Sequence, residues 1–109
     1  MPSNIFRLYT SDDGQTHFED MEQAPFEVTG MSFATSQAGA FGDWHNERRR
    51  QFVLVHSGEA EITASDGEVR HMTPGSMMLA EDLTGKGHQM RVLGDEACVW
   101  MFVPLKDQG

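Results

Sequence analysis

His45, Glu47, Gln51 and His88 are the side chains of this sequence whose types and spacing best suit chemistry. An imidazole offers a nitrogen lone pair to a proton or a ligand near neutral pH. A carboxylate can move protons, and a primary amide offers a neutral carbonyl oxygen. His45 and Glu47 are two apart, so on an extended chain they share a face. Gln51 opens the next run after Arg48-Arg49-Arg50, with Val53 and Val55 predicted on its face. His88 opens a later run, predicted to approach from the opposite sheet. The loop before it carries Glu81 and Asp82, which are general acid–base candidates if buried and ordinary surface carboxylates if not. The arginine run is either a solvated connector or, with Arg49 or Arg50 turned inward, a bidentate clamp for an anion. Trp44 and Phe52 flank the stretch and can wall a pocket or pack a contact between copies.

Other reactive types read more plainly. Cys98 is the single cysteine, so no disulfide can form within the chain, and its apolar setting is that of a small buried hydrophobe. His17 reads as a surface or edge-strand residue, and His56 and His71 as packing or interface residues.

The elements that must position these groups follow a period of two. Gln51–His56 is β-branched and aromatic, 59–64 alternates, and 68–72 returns after Asp66-Gly67, a strong hairpin signal. Thr73-Pro74-Gly75-Ser76 has type II turn composition. Segments 76–80, 88–93 and 97–104 are further strands, as are 5–9 and 26–36, while 11–23 is an acidic loop or poor helix. Many short strands separated by Gly and Pro turns predict an all-β sandwich or barrel.

Bulk properties narrow the partners. A chain of 109 residues, 39% hydrophobic and 23% charged, fits one globular domain. A net charge of −9 argues against nucleic acid and against an anionic membrane surface. No secretory signal or spanning run is read, so a cytoplasmic protein is expected.

The stretch Gly42-Asp-Trp-His45-Asn-Glu47-Arg-Arg-Arg-Gln51, followed by Gly58, resembles the first motif of the cupin family. Gly85-Lys-Gly-His88 resembles the second. The resemblance implies a single-domain, all-β jelly-roll barrel (double-stranded β-helix) over 1–109, with its core barrel near 26–104 after an N-terminal strand and acidic loop at 1–25. It also implies one divalent transition metal, Fe, Mn, Ni or Zn, held by His45, Glu47, Gln51 and His88. Two positions depart from the family pattern. Glu47 (or Asn46, if the register slips) stands where the motif has a second His, and Gln51 replaces an acidic residue, as ligand or as orienting hydrogen bonder.

The implied activity is on a compact polar or anionic small molecule, either O₂-dependent cleavage or isomerase or lyase chemistry. Glu47 and Asp82 are the catalytic candidates, and Arg49, Arg50 and Trp44 the substrate-binding ones. The rivals are a non-catalytic sensor or storage barrel, and a metal-free barrel using His45 as base, as in sugar-nucleotide epimerase relatives. A homodimer is expected, through an open edge at Ile5–Tyr9 and a covered outer face on strand 51–56.

Overall fold

A computed structural model describes residues 4–107. Its strands are β1 (Ile5–Thr10), β2 (Thr16–Asp20), β3 (Ser32–Ser36), β4 (Phe41–His45) and β5 (Gln51–Ser57), then β6 (Glu59–Ala64), β7 (Val69–Met72), β8 (Met77–Ala80), β9 (His88–Leu93) and β10 (Cys98–Pro104). They form a six-stranded sheet ordered β2-β1-β8-β5-β10-β3 and a four-stranded sheet ordered β4-β9-β6-β7. Among the described residues no helix is long and apolar enough to cross a membrane.

Period-two patterning accounts for what lies between the sheets. Val53 and Val55 of β5, Ile62 of β6, Met78 of β8 and Trp100 of β10 are buried in one core with Phe6, Leu8 and Phe18. Burying side chains of this size contributes about 1.5–3 kcal/mol each. The alternate residues of β5 also find cover, since Phe52 packs outside with Leu79 and Leu105. Phe26 meets Phe52 edge to face at 5.1 Å, so residues of the 21–31 segment cover the outer face.

Turn chemistry holds with one amendment. Ser76 N–H donates to the Thr73 carbonyl at 2.8 Å, and Gly75 has φ of 94°, as a type II turn requires. At the β6–β7 hairpin only Gly67 has positive φ. Its N–H donates to the Ala64 carbonyl, so the connection is a three-residue loop ending on a left-handed glycine, not a two-residue turn with both centres left-handed.

Three expectations are corrected. Part of the acidic segment 11–23 is β2, paired antiparallel with β1. Thr16 and Phe18 point inward while His17 and Glu19 do not, so the alternation was present but masked by polar residues. The run 26–36 is a strand only over Ser32–Ser36, preceded by an isolated bridge from Val28 to Leu105. Finally, β1 is not an edge. It lies between β2 and a parallel β8, and its Phe6 and Leu8 join the core, which makes residues 4–20 part of the barrel.

The two junctions between the sheets differ. At the β2 side, the Thr16 and Ser65 side chains accept from each other's backbone N–H, and His17 bonds Asp66 at 2.8 Å. Buried Arg70 bonds Asp20 and Glu68 and lies over the rings of Phe6 and Phe18. At the other side, β3 and β4 are both sheet edges and do not pair with each other. The cavity lies toward that open side.

Candidate functional site

His45 ends β4 and His88 opens β9, and the two are register partners on neighbouring strands of the smaller sheet. Their ring centroids lie 4.3 Å apart. Gln51 opens β5 on the larger sheet, so His88 does face it from the opposite sheet, but His45 sits beside His88. Glu47 lies beyond the end of β4, so a shared strand face with His45 is not the reason it reaches the site. The close approach of the two histidines depends on Gly87. Its φ is 76°, and a Cβ there would collide with the His45 carbonyl group.

Both imidazoles are fixed by their Nδ1 atoms. His45 Nδ1 lies 2.6 Å from the Asp43 carbonyl oxygen, an acceptor only, so the proton sits on Nδ1. His88 Nδ1 lies 2.6 Å from Asp82 Oδ2, and both side chains are buried. An ionised Asp82 accepts from Nδ1–H there and leaves Nε2 as the lone-pair nitrogen. Among the described residues the Asp82 carboxylate has no second side-chain partner, and its Oδ1 is buried without a hydrogen bond. Its backbone carbonyl accepts from Glu47 N–H and from Asn46 Nδ2, both at 3.2 Å. Asn46 also donates to the Gly85 carbonyl, which ties the 81–87 loop to the turn after β4.

These groups border a cavity of about 460 Å³. Its apolar wall includes Val53, Ile62, Met78, Met90, Trp100 and Phe102. Its polar side has His45, His88, Asn46, Glu47 and Gln51, with Arg48 and Arg49 beside them. Ser32, Ala34 and Ser36 of the β3 edge complete it.

Each residue marked out in the sequence has a definite place. Gln51 is buried, and its Nε2 donates to Glu47 Oε1 at 2.7 Å. Asp82 is shut off behind His88, so it orients that ring instead of touching a ligand. Arg50 does not line the cavity. Its Nε and Nη2 hold Glu81 Oε2 at 2.9 and 2.8 Å, and Glu81 also takes Arg7. Arg48 takes Arg50's place at the cavity beside Arg49. Trp44 is 48% exposed and does not border the cavity, although the neighbouring His45 does.

The metal set implied by the resemblance can be tested on the donors themselves. Two imidazole Nε2 atoms are free, but among the described residues no three His, Cys, Asp or Glu side chains converge. A catalytic zinc or facial-triad iron takes three protein ligands. Glu47 is bonded to Gln51 instead of forming a third point with the histidines. Of the four implied ligands, the two histidines stand together, and Glu47 and Gln51 would have to part from each other to join them.

The residues missed from the sequence are Asp43 and Arg48; Asn46, the alternative to Glu47 in the first motif, spends its amide on the Asp82 and Gly85 carbonyls. Asp43 fixes His45 through its backbone, so its side-chain type carried no signal. Its carboxyl is held below the usual range by the Gln89 amide and the Trp44 N–H.

The chain matches the family described as Cupin domain over residues 32–104. No curated protein matches it. Among solved structures it is similar to a cupin domain from Bordetella pertussis Tohama I, with TM-score 0.55 and 17% identity over 78% of this chain and 88% of that one. A conserved protein of unknown function from Streptococcus pyogenes gives 0.54 and 20%, covering 83% and 71%. A dTDP-6-deoxy-D-glucose-3,5-epimerase from Legionella pneumophila, in complex with dTDP-4-keto-L-rhamnose, gives 0.52 and 14%, covering 92% and 64%. At these identities the likeness is one of fold.

Proposed function

The chain belongs to the cupin family, and within it we propose that this cavity binds a compact small molecule and moves a proton on it, with His88 as the base. The observation that carries this reading is the buried Asp82–His88 pair at 2.6 Å. A carboxylate behind Nδ1 favours the tautomer with a basic Nε2 and stabilises the imidazolium once Nε2 has taken a proton. Among the described residues Nε2 of His88 has no partner, and the ring borders the cavity.

The step needs no further reagent. His88 Nε2 takes a proton from a carbon next to a carbonyl, and the electron pair passes to the carbonyl oxygen as an enolate. Return of that proton to another atom gives an isomer, and delivery of a proton to the other face of the same carbon by a second acid gives an epimer. Expulsion of a β-leaving group gives a lyase. Glu47, whose second oxygen is uncommitted, is the further acid–base group at the same wall.

The test is exchange of substrate C–H for deuterium in D₂O, followed by NMR over a panel of small carbonyl acids and sugars. His88→Gln is expected to lower exchange by about 10²–10⁴-fold, the usual contribution of a positioned base. Asp82→Asn is expected to slow exchange with little change in KM and to move the ring proton of His88 from Nδ1 to Nε2, read by ¹⁵N shifts. Binding without exchange in the wild type would leave a non-catalytic ligand barrel in place of this reading.

A metal reading is favoured by a different observation, the 4.3 Å spacing of His45 and His88 with both Nε2 atoms free. It requires Glu47 or Gln51 to give up their mutual hydrogen bond. Titration with Zn²⁺, Mn²⁺, Ni²⁺ or Fe²⁺ tests it. Near-stoichiometric binding lost in both His45→Ala and His88→Ala supports a metal centre, and no binding to the wild type removes it.

A further inference from the structure

We infer that the ligand of this cavity is a compact organic anion, an apolar body carrying a carboxylate or phosphoryl group, and that Arg48 and Arg49 hold the anionic end. The inference rests on the reading of the cavity as a ligand site and names the class of ligand.

The chain has 8 basic and 17 acidic residues, so every cation has abundant partners to choose from. Arg7, Arg50, Arg70, Arg91 and Lys106 each pair with a carboxylate. Among the described residues only Arg48, Arg49 and Lys86 lack such a partner, and the two arginines both border the cavity. They also leave adjacent Glu47 to Gln51. Gln51 binds Glu47 without neutralising it, so two guanidiniums against one carboxylate leave the polar side of this cavity net positive in an acidic protein. Guanidinium presents a planar fork that matches a carboxylate or phosphoryl group.

The apolar wall sets the rest of the ligand. Val53, Met78, Trp100 and Phe102 offer an unbranched body or a ring no polar partner. A highly hydroxylated sugar would leave its hydroxyls unmatched against that wall. His45 and His88 border the same cavity as the two arginines.

The experiment is isothermal titration of the full chain with three probes sharing one ring: benzoate, phenyl phosphate and neutral benzamide. At least one anion is expected to bind tenfold or more tightly than benzamide, and to weaken as salt rises. Preference between the anions identifies the group as carboxylate or phosphoryl. Arg48→Gln with Arg49→Gln should erase the preference, while Lys86→Gln, at the third unpaired cation, should not. Equal affinity for anion and amide, no binding of any probe at millimolar concentration, or an equal loss in Lys86→Gln overturns the inference. Anion binding kept in a wild type that shows no exchange sinks the proton-transfer reading alone, whereas exchange on neutral compounds without anion preference sinks this one.

Discussion

Burial decides the chemistry of Cys98. It is fully buried in the core between the sheets, and desolvation pushes its thiol above the ordinary value of 9.0. A neutral buried thiol is a poor nucleophile. The sign follows. Below that ordinary value the thiol is protonated folded and unfolded, and its burial has full effect. As pH rises past it the unfolded chain gives up the proton first, so this contribution is lost. Native protein treated with a disulfide reagent at pH 8 should react only at its unfolding rate, and release one equivalent at once in guanidinium. Fast native labelling would place Cys98 outside the core. This role was legible from the apolar run around Cys98, as were His45 and His88 from their spacing. The choice among the three arginines was not, because side-chain type is the same at all three. Which of them faces the cavity is decided by the bends between β4 and β5 and by the capture of Arg50 by Glu81.

At the scale of elements, the site depends on how closely β9 approaches β4. Gly87 supplies the space, since any side chain there meets the His45 backbone at a φ that other residues rarely adopt. Gly87→Ala is therefore expected to cost about 1–3 kcal/mol, the range for strained backbone and overpacking. Its specific sign is loss of the contact between the His45 and His88 rings, read from ring-proton shifts, beyond any fall in Tm. Gly58 sets the comparison, because a Cβ there would strike the backbone of Ala97 and Cys98, away from the site. Gly58→Ala should lower Tm and leave the histidine shifts in place. Both glycines stand in the two motif-like stretches, so their positions could be read in the sequence, but the backbone each must clear could not. The same division holds for strands. Strands β5, β6 and β9 announce themselves through alternation, whereas β2 is hidden because its outward residues are His17 and Glu19 and its inward pair is only Thr16 and Phe18.

The whole molecule has one closed junction between its sheets and one open junction, and the open one argues for a second copy of the chain. The edge strand β2 carries Glu19 and Asp20, which disfavour pairing between two acidic molecules. The other edge, β3, lies inside Val28–Gly42, a stretch with no Asp, Glu, Lys or Arg in a chain that is 23% charged. It also exposes apolar side chains, with Phe33 at 64%, Met31 at 56% and Phe41 at 47%. Copies carrying −9 each repel, so the uncharged edge is where they meet at least cost. Antiparallel pairing of β3 with its counterpart is self-complementary, as a two-fold interface requires. The expectation of a homodimer thus moves from β1, which is flanked on both sides, to β3. Light scattering at about 100 μM should give roughly twice the chain mass of 12.2 kDa, with the dimer strengthened by salt as repulsion is screened. Phe33→Lys should yield a folded monomer, and Ile5→Lys should remain dimeric. A wild-type species of 12.2 kDa at that concentration would rule the dimer out. Dissociation by Ile5→Lys with Phe33→Lys still dimeric would place the interface elsewhere. Because Ser32, Ala34 and Ser36 of β3 also line the cavity, such pairing would brace one wall of the ligand site. Phe33→Lys should therefore weaken anion binding even though Phe33 does not border the cavity.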